Sequence, residues 1–224
     1  MMEPLAHPHR PSLDSELRQI RDLVLEMGEM VDDAIYRAGQ ALLERDIALA
    51  GRVINDDDVL NARHVQTHDH CLSVILTQAP VARDLREILG FLHMSDELER
   101  MGDHCVNVAR IARNLADLPP LDAQIDIGSL SRLCAEQVHD MLSAVVARDL
   151  DRARQIAARD DRIDRVYHRI VDDVLQLMVS DSKNVYAGYQ LVLVGMNFER
   201  IGDRVTNLAE DLVFLETGNV EELG

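Results

Sequence analysis

Apolar residues recur every three or four positions along most of the chain, which is the spacing of helices that bury one face. The pattern runs from Leu17 to Ala38 and then returns in later segments, which prolines, glycines or a break near Asp46 separate. No segment shows the strict alternation that is typical of a half-buried strand. The spacing predicts six long helices: two within residues 12–79, on either side of the break, a third that begins at Pro80, and three more over about 129–148, 150–179 and 183–216.

An internal repeat groups these helices into two copies of one unit. The eleven residues Glu99–Ala109 return one hundred residues later as Glu199–Ala209, with six identical positions. Such a repeat indicates two copies of one structural unit. We therefore predict an all-α fold of two tandem three-helix bundles. The predicted organisation is a disordered arm over 1–13, a first bundle over 14–117, a linker over 118–127, a second bundle over 128–218 and a tail over 219–224.

The composition restricts the class of protein. Apolar residues make up 47% of the chain but aromatic residues only 3%, so we expect a core of aliphatic side chains and methionine. The net charge of −17 argues against a general nucleic-acid binder and against adsorption to anionic lipid. The three cysteines form no CxxC pair, and no apolar run approaches the ~20 residues of a membrane span. We expect an acidic, soluble protein of the cytoplasm with its cysteines in the core.

Each repeat carries a polar stripe with two carboxylates one helical turn apart. The stripes are Asp96, Glu99, Asp103 and Asn107 in the third helix, and Glu199, Asp203, Asn207 and Glu210 in the sixth. Carboxylate oxygens on packed helices are ligands for Mg²⁺, Mn²⁺, Ca²⁺ or iron. We expect further ligands from the facing helix of each bundle, where Asp57, Asp58 and Asn61 correspond to Asp160, Asp161 and Asp164.

Other residues near the stripes have two interpretations. Gly102 and Gly202 lie inside helices, where glycine costs about 1 kcal/mol relative to alanine, so close helix approach or space for an ion is expected beside them. Arginines within a turn of the acids offer the alternative of a solvated face with surface ion pairs. His64 and His68 have the spacing of a metal pair. Because the second repeat has Tyr167 in place of His64, we expect these histidines to face solvent.

These segments resemble a known family. The two Glu-Arg-x-Gly-Asp segments, each followed by an asparagine, are similar to the repeated E(D)-x-x-x-D motif of the PhoU family, regulators of bacterial phosphate uptake. Residues 78–86 resemble the family's segment that opens the third helix, and residues 207–218 resemble its C-terminal ending. The resemblance covers about residues 14–218 and implies the same fold of two three-helix bundles.

The resemblance also implies a function and its cofactors. It implies a non-enzymatic adaptor that contacts the ATPase of the Pst phosphate transporter and the PhoR sensor kinase, and that represses the phosphate-starvation response when phosphate is plentiful. It implies homodimers that reach the membrane only through these partners, and clusters of iron, zinc or another divalent ion such as magnesium or manganese. By position, the implied ligands are Glu99, Asp103, Glu199 and Asp203, with Asp96, Asp57, Asp160, Asp161 and Asp164 in support.

The two repeats differ at several of these positions. Asn61 corresponds to Asp164, Arg110 to Glu210, and Met196 to Asp96. The two sites are therefore predicted to be unequal. The sequence contains no Walker loop, nucleophile–base pair or Glu-x-x-His motif. Two alternatives to an adaptor stay open, which are a carboxylate-cluster metalloenzyme and a metal-storage or structural helical protein.

Overall fold

The computed structural model describes residues 10–119 and 125–224, and these residues form helices without any strand. The all-α prediction is thus confirmed. Seven α-helices follow one another, with one 3-10 turn at Ser182–Asn184 before the last of them. The helices are α1 (Pro11–Glu44), α2 (Ile47–Gln78), α3 (Arg83–Ala116), α4 (Ile127–Ala147), α5 (Leu150–Ala157), α6 (Asp160–Ser180) and α7 (Val185–Thr217).

The two repeats pack side by side and share one core. Helices α1, α2 and α3 form the first bundle, and α4 to α7 form the second. Across the junction, α1 lies against α4 and α3 lies against α7, while α2 flanks one side and α5–α6 the other. A single apolar cluster runs through both bundles, from Ile20 of α1 through Leu98 of α3 to Phe198 of α7. The repeats therefore form one body, because burial of these helices requires both of them.

Several helix boundaries have a local cause in a capping residue. Asp46 accepts the Leu49 N–H at 2.9 Å and caps the start of α2. Its counterpart Asp149 caps α5 in the same way. Gly218 ends α7 with a φ of 77°, a left-handed conformation that glycine adopts without strain. The predicted break near Asp46 is confirmed, since α1 ends at Glu44 and α2 begins at Ile47.

Two predicted helix boundaries are wrong. Helix α3 begins at Arg83 rather than at Pro80, because Ala79 and Ala82 have positive φ values of 43° and 47° and form a turn around the proline. The predicted fifth helix is two helices, α5 and α6, with a break at residues 158–159. The break places Asp160 in the first turn of α6, where the helix dipole favours a carboxylate.

The predicted arm and linker fall partly outside the described residues, at 1–9 and 120–124. Residues 11–13 belong to α1, so the helical part of the first bundle begins three residues earlier than predicted. The predicted tail follows α7, and Arg154 holds it through two hydrogen bonds to Glu221, at 3.1 and 2.9 Å.

Glycine occupies the same position in both repeats, as Gly102 and Gly202, and each of these glycines lies at a close helix contact. A Cβ atom on Gly102 would lie 2.3 Å from Leu60 Cδ2 of α2. A Cβ atom on Gly202 would lie 2.7 Å from Asp160 Oδ1 and 3.1 Å from Ile163 Cδ1 of α6. These distances are shorter than van der Waals contact, so the expected close approach is confirmed. The glycines let α2 and α6 lie directly against the two acidic helices.

A leucine at Gly202 should lower the free energy of unfolding by about 1–3 kcal/mol, because its side chain has no room against α6. Gly51 of α2 is the matched control, since no neighbouring heavy atom lies within 4 Å of a Cβ built there. Gly51→Leu should instead raise the free energy of unfolding by up to about 0.8 kcal/mol through helix propensity. Urea denaturation measures both, and equal shifts in the two variants would contradict the close contact at Gly202.

Candidate functional site

Helices α6 and α7 bring four carboxylates together in the second repeat, namely Asp160 and Asp164 with Glu199 and Asp203. Burial raises the pKa of Asp160 from 3.8 to about 6, and the negative charges of Asp164, Asp203 and Glu199 add to the effect. Burial and neighbouring carboxylates also raise the pKa values of Glu199 and Asp203. Asp161 is exposed, and of these neighbouring charges it raises the pKa of Asp160 least. We call these five residues the second acidic cluster.

The first acidic cluster is the corresponding group in the other repeat, formed by Asp57 and Asp58 of α2 with Glu99 and Asp103 of α3. Burial, followed by the charge of Asp103, raises the pKa of Asp57. Asn61 partly relieves this repulsion, because its side-chain amide donates a hydrogen bond of 3.0 Å to Asp57 Oδ2. The two repeats thus differ, with the stronger mutual repulsion between carboxylates in the second.

The second acidic cluster has the chemistry of a site for a hard cation. Asp160 Oδ1 is shielded from solvent and accepts no hydrogen bond from any described residue. A shielded oxygen among like charges is a costly arrangement that a bound cation would relieve. Yet within residues 10–119 and 125–224, no three of these carboxylates bring one oxygen each within 4.8 Å of one another. The donor set fits a divalent cation, but its oxygens are more widely spaced than in a compact single-ion site.

Four predicted ligands, Asn107, Asn207, Glu210 and Asp96, lie outside both acidic clusters. Asn107 donates to Asn197 at 3.3 Å, and Asn207 donates to Glu97 at 2.9 Å. Glu210 accepts the backbone N–H of Leu223 in the tail, and Asp96 contacts histidines of α2. Asn107 and Asn207 lie on the faces of α3 and α7 that meet the opposite repeat. Asp96 faces α2 at the two histidines, and Glu210 faces the tail.

His64 and His68, which the sequence predicts to face solvent, are partly exposed and also contact α3. Their Nε2 atoms lie 2.8 and 2.7 Å from the same oxygen of Asp96, Oδ1. Burial alone would raise the pKa of Asp96, but the hydrogen bonds from the two histidines outweigh it, and the pKa is lowered. The carboxylate is therefore ionised at neutral pH. The four-residue spacing of the histidines was the available sequence signal, but the second repeat offered no counterpart to support it.

A polar network that the sequence did not reveal joins α3 to α7. Glu97, which is buried, accepts hydrogen bonds from Arg204 at 3.2 Å and from Asn207 at 2.9 Å, both on α7. At the corresponding position of the other repeat, Asn197 accepts from His104 at 3.0 Å. Burial lowers the pKa of His104, so its ring is neutral and donates through Nδ1. The two repeats are thus joined by matching contacts, with a charged acceptor on one side and an amide on the other.

Asp211 lies at the same junction, and its pKa is raised further than that of Asp160. Burial raises the pKa of Asp211 from 3.8 to about 8, and the charges of Glu97, Glu210 and Asp96 add to it. At neutral pH the Asp211 carboxyl is therefore mostly protonated. Its position in the first repeat is occupied by Ile111, an apolar residue, which marks the position as one that the fold buries.

The fold and its paired acidic helices define a class of helical protein built from two copies of one domain. The PhoU domain matches this chain twice, over residues 24–112 and 127–212. The chain therefore belongs to the PhoU family. The two matches coincide with the repeat that the sequence shows, so each bundle is one PhoU domain. No helix among the described residues is both long and apolar enough to span a membrane.

Similar proteins cover nearly the whole chain. A protein of Clostridium acetobutylicum named phosphate-specific transport system accessory protein PhoU homolog is 33% identical over 96% of this chain and 98% of its own length. A protein of Aquifex aeolicus with the same name is 32% identical over 93% and 94%. The crystal structure of PhoU from Pseudomonas aeruginosa matches with a TM-score of 0.88 and 28% identity, over 92% of this chain and 99% of that one.

Arg204→Ala should destabilise the protein, because Arg204 donates a hydrogen bond to the buried Glu97 carboxylate. Removal of the guanidinium leaves the buried Glu97 carboxylate with fewer donors, so the free energy of unfolding should fall by about 1–3 kcal/mol. Glu97→Gln in the same background should restore part of the loss, because it removes the buried charge. The control is Arg165→Ala, an exposed arginine 3.7 Å from Asp161, whose expected effect is within about 0.5 kcal/mol. Equal losses for Arg204→Ala and Arg165→Ala would refute the buried contact.

Asp211 should make the protein less stable as the pH rises. The unfolded carboxyl releases its proton near pH 3.8, whereas the folded one keeps it until about pH 8. Between these values the folded state binds more protons, so the contribution of Asp211 to stability falls with rising pH. Asp211→Asn should remove this slope and stabilise the protein most above pH 8. Urea unfolding at several pH values measures it, and parallel curves for the two proteins would contradict the raised pKa.

Proposed function

We propose that this chain is an accessory regulator of phosphate transport that acts as an adaptor between the ATPase of a Pst-type transporter and a PhoR-type sensor kinase. In this role it represses the phosphate-starvation response when phosphate is plentiful. The observation that carries the proposal is the pair of PhoU domains, which together span most of the chain. Relatives that match over nearly their whole length bear the name of phosphate-specific transport system accessory proteins.

The acidic clusters support a role for divalent cations in this regulator. Asp160, Asp164, Glu199 and Asp203 would hold the cation in the second cluster, and Asp57, Glu99 and Asp103 would hold it in the first. A bound cation would supply positive charge that relieves the repulsion between α6 and α7, or between α2 and α3. Donor sets that contain only oxygen favour Mg²⁺ and Mn²⁺, while carboxylates also accept iron and zinc.

The described side chains support an adaptor rather than a catalyst. All three cysteines are buried, and burial raises the pKa of the Cys71 thiol to about 11 and also raises the pKa values of Cys105 and Cys134. A buried thiol with a raised pKa is a poor nucleophile. The net charge of −17 disfavours direct adsorption to anionic lipid, which is consistent with a homodimer in the cytoplasm that reaches the membrane through its partners.

The adaptor role is tested in cells that lack the gene. Deletion should derepress phosphate-starvation genes in phosphate-rich medium, and expression of the wild-type chain should restore repression. The tagged wild-type chain should recover a transporter ATPase and a sensor kinase from phosphate-replete cells. Unchanged expression after deletion, together with recovery of neither partner, would refute the adaptor. Hydrolysis of phosphate esters by the metal-loaded protein, lost in Glu199→Gln, would favour the metalloenzyme instead.

The role of the second acidic cluster is tested by complementation with variants. The double variant Glu199→Gln, Asp203→Asn should fail to restore full repression, because it removes two of the charges that would hold a cation. Asp172→Asn, an exposed carboxylate elsewhere on α6, is the matched control and should behave as wild type. Full repression by the double variant would refute cation-dependent regulation at this cluster. It would not decide the adaptor proposal, which the deletion and the recovered partners test.

A further inference from the structure

Two imidazoles and a carboxylate converge at one point between α2 and α3. The Nε2 atoms of His64 and His68 lie 2.8 and 2.7 Å from Asp96 Oδ1. Each of the three residues offers one ligand atom, and these three atoms lie within 4.8 Å of one another. No other trio of histidine, cysteine or acidic side chains in the described parts of the chain meets this distance. The side chains are 23%, 35% and 38% exposed, so solvent reaches the point where they meet.

The packing of α2 and α3 holds the three ligands in place. His64 and His68 lie one helical turn apart and therefore project from the same face of α2. Thr67 and Cys71 on the neighbouring positions of that helix are fully buried. On α3, Ser95 and Leu98 flank Asp96 and are also buried. The backbone on both sides of the point is thus fixed by the core, which is the support that a preorganised site requires.

We propose that His64, His68 and Asp96 bind one transition-metal ion of the zinc class, with water completing the coordination. Two imidazoles and one carboxylate are the protein ligands of many three-ligand zinc sites, in which the remaining position is open to water. In the hydrogen-bonded state the histidine Nε2 atoms direct protons at the carboxylate. When a metal ion binds at Nε2, each ring stays neutral because its proton moves to Nδ1, and the carboxylate stays ionised.

This site differs from the acidic clusters in its ligand atoms, and it occurs in one repeat rather than in both. The acidic clusters offer oxygen ligands alone, which suit magnesium or manganese, whereas imidazole nitrogen favours zinc and its neighbours in the first row. The second repeat has Tyr167, Val171 and Met196 at the positions that correspond to His64, His68 and Asp96, so it lacks all three ligands. The proposal therefore requires one such ion per chain. It does not depend on the adaptor function.

The test is zinc titration of the full chain after chelator treatment, against a chromophoric zinc chelator and in millimolar Mg²⁺ to occupy the oxygen sites. The wild-type chain should bind one zinc ion under these conditions. Loss of an outer-shell partner weakens metal binding by up to about 100-fold. Asp96→Asn and His68→Gln each remove a direct ligand, so each should weaken zinc binding by more than that. Both replacements keep a polar group of similar reach, and circular dichroism checks that the helices remain.

Two controls separate this site from its alternatives. His139→Gln removes an exposed histidine of α4 that pairs with Asp32, and it should leave zinc binding unchanged. The double variant Asp160→Asn, Asp203→Asn should also keep the zinc ion, because it alters the second acidic cluster alone. The visible spectrum of the Co²⁺-loaded protein should change in Asp96→Asn and stay constant in both controls. Failure of the wild-type chain to bind zinc, or loss of zinc in the cluster variant but not in Asp96→Asn and His68→Gln, would overturn the proposal.

Discussion

Helices α3 and α7 pack against each other along the junction of the two repeats, and each also forms the inner wall of its own bundle. This double burial leaves each helix few positions that face water. Its polar residues must therefore find partners across a helix contact or carry the cost of burial. The Glu97 and Asn197 networks are the pairings that result, and the raised pKa of Asp211 shows the cost where a pairing is incomplete.

The same constraint produces the acidic clusters. Gly102 and Gly202 allow α2 and α6 to approach so closely that Asp57 and Asp160 are desolvated beside the carboxylates of α3 and α7. Carboxylates held at this distance repel one another, and the repulsion persists because the core fixes the helices that carry them. The second cluster lacks the relief that Asn61 gives to Asp57, so it has more free energy to gain from a cation. An internal repeat has in this way produced two unequal acidic clusters on one scaffold.

Much of this arrangement follows from the sequence, because it depends on spacing within a helix. The 3.6-residue period identifies the helices, and the repeat pairs Asp57 with Glu99 and Asp160 with Glu199 through facing helices. The remainder depends on packing between helices that lie far apart in sequence. Periodicity assigns Glu97 to a face of α3 but does not select Arg204, 107 residues away, as its partner. For the same reason the contact of His64 and His68 with Asp96 required the structure, as did the turn at Ala79 and Ala82.

The central claim is that the two PhoU domains form one cooperative body through α3 and α7 rather than two bundles joined by a linker. Native-state hydrogen exchange in increasing urea, resolved by helix, tests it most directly. With a shared core, the most protected amides of α3 and α7 should exchange with the same free energy of opening and the same dependence on urea. Separate transitions, in which the amides of one bundle lose protection while those of the other keep it fully, would contradict a shared core.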